Sequence, residues 1–319
     1  MQTTVHLTRL AKAGDADAQS RLATRLAFGG KSTEQRDWRR IAKLWRAAAE
    51  AGHSSAQFYL GTCYDDGKGV RKNLTQALEW FRRSAAQGDP DAQYNLGFCF
   101  REGDGVPKNL RKCVYWFQKA ADQGDDAAQS DLGYCYHEGK GVRKDSKKSL
   151  YWYRKAAHQG LARAQFNLAL QYWEGDGIRR NRKTAVEWFG RAAVQGHVRS
   201  QWYLSEAYDD GFGVAKDDAE SVRWLRRAAH NGDEDAQCTL GVRYHNGQGV
   251  PKNYPGSVKW YRRASKNGDS WATYCLGLCY RDGEGVPRNG RMARKMFAAA
   301  ARDDVADADA ALRAMNADT

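Results

Sequence analysis

Gly52-His53-Ser54-Ser55-Ala56-Gln57-Phe58-Tyr59-Leu60-Gly61-Thr62-Cys63-Tyr64-Asp65-Asp66-Gly67-Lys68-Gly69-Val70 opens a pattern that returns down the chain. Its lead glycine recurs at 88, 124, 160, 196, 232 and 268, a period of 36 residues. Four residues after it comes a small residue (Ala56, Ala92, Ala128, Ala164, Ser200, Ala236, Ala272) and eight after it a leucine. Twelve after it stands an aromatic: Tyr64, Phe100, Tyr136, Tyr172, Tyr208, Tyr244, Tyr280. Spacings of four trace one face of an α-helix, so each period opens with a helix, called helix A, whose Leu, following small residue and Tyr are expected to be buried.

A Gly-x-Gly-Val/Ile loop follows in every copy, from Gly67–Val70 to Gly283–Val286. Its first glycine stands where a helix C-terminus needs a left-handed residue. Three residues past the Val or Ile comes Asn or Asp (Asn73, Asn109, Asp145, Asn181, Asp217, Asn253, Asn289), expected to cap a second helix through its side-chain oxygen. Helix B carries Trp80-Phe81, Trp116-Phe117, Trp152-Tyr153, Trp188-Phe189, Trp224-Leu225, Trp260-Tyr261 and Met296-Phe297, then small residues such as Ala85 and Ala121. Large side chains facing small ones let neighbouring helices interdigitate, so this stripe reads as core.

Residues 14–51 form a degenerate copy with an insertion of two residues near Lys31 to Asp37, and 52–303 hold seven regular copies. Residues 1–13 and 304–319 read as lone capping helices, which an open stack needs to stay soluble. The expectation is a single all-α domain over 1–319: a solenoid of eight helix-pair repeats flanked by caps.

Small residue, Leu-Gly, Tyr, Gly-x-Gly-Val, Asn/Asp, Trp-Phe/Tyr, Ala-Ala and Gln-Gly in this order resemble the Sel1-like repeat, a relative of the 34-residue tetratricopeptide repeat. Asp65–Val70 and Tyr151–Ala157 match its two signature stretches. The resemblance implies a right-handed α/α superhelix and a non-enzymatic adaptor in signalling, complex assembly or host interaction. Some secreted members carry a disulfide in each repeat; this chain lacks the second cysteine in most copies, leaving Cys275 and Cys279 as the one pair worth testing.

By analogy with the related repeat, helix-A positions outside the core line a concave surface, and their variation carries specificity. The candidates are Phe58, Tyr94, Phe98, Arg101, Tyr134, His137, Arg163, Phe166, Trp173, Arg199, Trp202, His245 and Arg281, a mixture of aromatic and cationic side chains of the kind that dominates binding hot spots. They suit a protein or peptide segment with acidic character. The plainer alternative is that Phe58, Phe166 and Trp202 pack between neighbouring A helices. A basic ridge (Lys72, Lys108, Lys144, Arg180, Lys216, Lys252, Arg288) follows the loops beside an acidic line (Asp66, Glu102, Glu138, Glu174, Asp210, Asp282).

The net charge of +13 favours acidic partners and makes a nucleic-acid-binding repeat the rival, but the acidic line interrupts any phosphate track. No catalytic, cofactor or metal site is expected: the loops lack the third glycine of a dinucleotide fingerprint and the Lys-Ser/Thr of a P-loop, and Cys135 and His137 diverge on their helix. No apolar run approaches the ~20 residues of a membrane helix. Residues 1–14 show no secretory h-region, and three of the seven cysteines (Cys63, Cys99, Cys135) are spaced by the repeat, so reduced thiols in the cytoplasm are expected.

Overall fold

A computed structural model describes residues 3–30 and 36–317, and among them it contains helices and no strand. In chain order α1 is Thr4–Lys12, α2 Ala16–Phe28, α3 Trp38–Glu50, α4 Ser54–Asp66, α5 Leu74–Ala86 and α6 Pro90–Glu102. Then come α7 Leu110–Asp122, α8 Asp126–Glu138, α9 Ser146–His158, α10 Ala162–Glu174, α11 Arg182–Val194 and α12 Val198–Asp210. The last six are α13 Asp218–His230, α14 Glu234–Asn246, α15 Tyr254–Lys266, α16 Ser270–Asp282, α17 Gly290–Ala301 and α18 Ala306–Ala317. Even-numbered helices from α2 to α16 are the A helices and their successors the B helices; α1 and α18 occupy the expected terminal positions. Most of the insertion expected near Lys31 to Asp37 lies outside the described residues. The helices fall into two units, Met1–Leu161 and Ala162–Thr319.

Local rules set the helix ends. Asn73 accepts the Gln76 N–H at 3.1 Å and Asn109 the Lys112 N–H at 3.0 Å, the N-caps read from the sequence. The cap's own N–H donates back to the helix-A aromatic, as from Asn73 to the Tyr64 carbonyl at 2.8 Å, and Asn109 does the same to Phe100 at 2.8 Å. Gly67 ends α4 at φ +76°, in the left-handed region that only glycine enters freely. Helix A has N-caps that the repeat pattern had not singled out: Asp89 accepts the Ala92 N–H at 2.9 Å, and His53 and His197 do the same work through a ring nitrogen.

Packing follows from size matching. Phe81, Phe117, Tyr153, Phe189, Leu225, Tyr261 and Phe297 are buried, and each aromatic except Phe189 lies against the mid-helix glycine twenty residues before it. A Cβ at Gly97 would sit 2.6 Å from Phe117 Cδ1, and one at Gly241 2.6 Å from Tyr261 Cδ1. The helix-A tyrosines are half-buried where burial was expected, because the hydroxyl reaches the surface; Arg46 donates to the Tyr64 hydroxyl at 2.7 Å and Arg262 to that of Tyr280 at 2.9 Å.

Within each unit a buried glutamine ladder ties successive pairs together. Gln57, Gln93, Gln129, Gln201 and Gln237 donate from Nε2 to the carbonyls of Ala49, Ala85, Ala121, Ala193 and Ala229 at 3.0–3.3 Å. Those carbonyls lie in the last turn of a B helix, beyond the regular i+4 ladder, and each also accepts the N–H of the glycine three residues on, as from Gly52 to Ala49 at 3.0 Å. The glutamine oxygens accept in turn from Gln87, Gln123, Asn231 and Asn267.

His197 makes one cap sensitive to acid. Its Nδ1 accepts the Ser200 N–H at 3.3 Å, which requires a lone pair, and burial holds its pKa below the ordinary histidine value. Between the folded and the unfolded pKa the unfolded chain binds more protons, so stability is lost as pH falls through that window. His197→Asn keeps the cap and removes the titration, so its urea midpoint is expected to fall less than the wild type's between about pH 7 and about pH 5. An equal fall in both proteins counts against the cap.

Candidate partner-binding surface

In the first unit Tyr94, Phe98, Arg101 and Tyr134 on successive A helices are linked through Asp131 and a shared cavity. Tyr94 stacks on Phe117 with centroids 5.4 Å apart, and its hydroxyl donates to Asp131 Oδ2 at 3.0 Å. Arg101 Nη1 donates to the same oxygen at 3.2 Å while its Nε donates to Glu102 at 2.7 Å. The Asp131 side chain is 10% exposed, so Arg101 compensates a carboxylate that burial would otherwise penalise. An alanine at Arg101 therefore acts on the fold as well as on any partner. Phe98 and Tyr134 remain 37% and 40% exposed, with Arg101 over the Phe98 ring at 4.4 Å and Lys140 over that of Tyr134 at 4.6 Å. His137 is half-buried, 3.5 Å from Glu138, and Phe58 packs on Phe81 at 6.0 Å.

In the second unit the candidate aromatics are mostly spent on packing. Phe166 lies against Phe189 and Tyr203, each at 5.8 Å, and Trp173 lies 6.1 Å from both Tyr203 and Phe212. Trp202 packs on the core around Leu225 and Leu240. Arg199 covers the Trp202 ring at 4.9 Å and pairs with Asp233 and Asp235 at 3.5 and 3.0 Å. His245 meets Glu284 at 2.7 Å, Arg281 holds Asp282, and Arg163 is half-buried in the first turn of α10. Phe58, Phe166 and Trp202 pack largely on helix-B core residues (Phe81, Phe189 and Leu225) and not simply between A helices, while Phe98 and Tyr134 stay presented.

The seven ridge cations are all exposed. Arg288 donates to the Arg281 carbonyl at 2.9 Å and Arg180 to that of Glu174 at 3.4 Å, so these two settle helix-A C-termini, where cations suit the dipole. The acidic line is held locally: Asp66 by Lys68 at 2.6 Å, Glu102 by Arg101 and Asp282 by Arg281.

All seven cysteines are free and buried. Burial pushes the Cys63, Cys99 and Cys275 thiols up to about 12 and that of Cys279 to about 11, which keeps them protonated at neutral pH. Cys113 on α7 and Cys135 on α8 share a thiol hydrogen bond that lowers the acceptor, Cys135. Among the described residues no group of three or more His, Cys, Asp or Glu is placed to hold a metal ion, and no helix is long and apolar enough to cross a membrane. Sequence reasoning missed Asp131 and Lys140; the signal was there as a carboxylate or lysine where neighbouring copies carry other residues.

The Sel1 repeat model matches residues 16–53, 54–89, 90–125, 126–161, 162–197, 198–233, 234–269 and 272–305, eight consecutive copies. Among solved structures, the chain is similar to a protective antigen present in uropathogenic Escherichia coli strains displaying an SLR fold, with 34% identity and a TM-score of 0.90 over 99% of this chain and 67% of that one. It is also similar to a Sel1 repeat protein from Oxalobacter formigenes, with 34% identity and a TM-score of 0.73 over 97% of this chain and 89% of that one. Eight matched repeats, each built as an A–B helix pair, make this chain a member of the Sel1 repeat family.

Proposed function

We propose that the chain is a non-enzymatic scaffold that captures a protein segment of acidic and apolar character on its helix-A surface, in signalling or complex assembly. The observation that carries this is the pair Phe98 and Tyr134. Both rings stand exposed in adjacent repeats at positions the core does not use, each beneath a cation. Aromatic and Arg side chains of this kind supply contact area at low entropic cost. The seven unpaired cysteines suit a reducing compartment, and the cytoplasm is the proposed location.

Affinity purification on the full chain tests the proposal, with Phe98→Ala/Tyr134→Ala as the comparison. Recovery of a partner is expected to drop about tenfold or more in the double variant, with its circular dichroism unchanged. Unchanged recovery overturns it. Nucleic-acid binding draws support from the +13 charge and the exposed ridge, although Arg180 and Arg288 are engaged by helix carbonyls. Retention on RNA that is lost at moderate salt would favour that rival.

A further inference from the structure

Side chains 39 residues apart in successive repeats face each other, as His245 with Glu284 at 2.7 Å and Trp173 with Phe212 at 6.1 Å show. At the same two positions stand Asp65 and Asp104; burial raises the Asp65 carboxyl, and the Asp66 and Asp104 charges add to it. Arg101 and Lys140 are the copy in which both positions are cationic, and they line a cavity of about 380 Å³ together with Lys108.

Two carboxylates that face each other can relieve their repulsion by taking up a proton. Arginine cannot lose one in the neutral range, and lysine does so only near its high pKa. Arg101 is held from one side by Asp131 and Glu102, whereas Lys140 gives one of its three donors to the Tyr134 hydroxyl at 2.6 Å and Lys108 is exposed. Leu110 also lines the cavity and is the first residue of α7, so the positive end of a 13-residue helix adds to the same field. Glu102 is the one anion in the lining, against three cations. Leu110 is 38% exposed and stands with the Tyr134 ring as an apolar wall, while the buried thiols of Cys113 and Cys135 close the inner side.

We propose that this cavity is an anion pocket for a Glu or Asp side chain of the captured segment, with an adjacent apolar residue of that segment lying on Leu110 and Tyr134. The pocket rests on the protein-binding reading above and gives it a chemical anchor. Lys108 and Lys140 make the contacts, and Arg101, fixed by Asp131, supplies field and position.

The probes are two acetylated, amidated pentapeptides, Glu-Glu-Leu-Glu-Glu and its counterpart with glutamine in place of every glutamate, titrated calorimetrically into the full chain at low salt. The acidic peptide is expected to bind, and Lys108→Gln/Lys140→Gln to weaken it about tenfold or more while the melting profile is unchanged. The glutamine peptide is expected to lose affinity to the same degree on the wild type. Equal binding of the acidic peptide by the double variant overturns the pocket, as does equal binding of the two peptides, or failure of the acidic peptide to bind. So does binding of inorganic phosphate with no binding of the peptide, which would make this a site for free anions. Partner capture is read separately by the purification, with Phe98→Ala alone as a further comparison, because Phe98 lies outside the lining of the pocket.

Discussion

Gly141→Ala is expected to lower the unfolding free energy by about 3 kcal/mol, and Gly124→Ala by about 1 kcal/mol, although both glycines have positive φ. Gly124 has φ +101° and a Cβ there would meet nothing within 4 Å, so its alanine bears only the backbone strain. Gly141 has φ +74°, and a Cβ would lie 2.6 Å from the Leu110 carbonyl carbon and closer still to its oxygen. A side chain could swing aside; a carbonyl inside the first turn of α7 cannot, so the loop must lift from the helix it rests on. The second glycine of other loops meets the same obstacle, Gly105 at Leu74 and Gly249 at Asp218. Urea unfolding followed by circular dichroism measures both variants. Equal losses would show that conformation alone explains the paired glycines.

Phe117→Ala is expected to cost about 4 kcal/mol, the scale of deleting a fully buried ring. The ring is 0% exposed, stacks with Tyr94 and fills the space left by Gly97, so both neighbours lose their packing surface. The chain holds a second solution to the same contact: where Gly97 and Phe117 stand in one repeat, Ser205 and Leu225 stand three repeats later, and both are buried. A smaller apolar residue on helix B leaves room for a Cβ on helix A. Gly97→Ser and Phe117→Leu should therefore each destabilise alone and cost less together than the sum of the two, with a coupling of about 1 kcal/mol. Additive losses in urea unfolding would show that the glycine and the ring do not constrain one another.

The candidate surface was only partly legible. Phe98 and Tyr134 could be picked out as variable aromatics and do stand exposed. Phe166 and Trp202 carry the same composition signal, yet the first packs on Phe189 and Tyr203 and the second on the Leu225 core. Arg101 looked like a free cation, and it is the partner of Asp131, thirty residues on. Lys140 was not singled out, because the cavity that it lines with Arg101 exists only in the tertiary structure.

By itself the sequence determined the helix pairs, their caps, the left-handed glycines and the core stripe. Each of these answers a local demand: a backbone angle, an unsatisfied N–H or a helical face, all within about one turn of the residue concerned. Tertiary structure alone decided which variable residues are consumed and which are presented. That outcome depends on encounters 30 to 39 residues apart, such as Gln123 with Gln93, Arg101 with Asp131 and His245 with Glu284. The period brings such positions together in every copy, but whether a given meeting is an ion pair, a ring contact or two cations around an open cavity depends on the pair of side chains that packing places face to face.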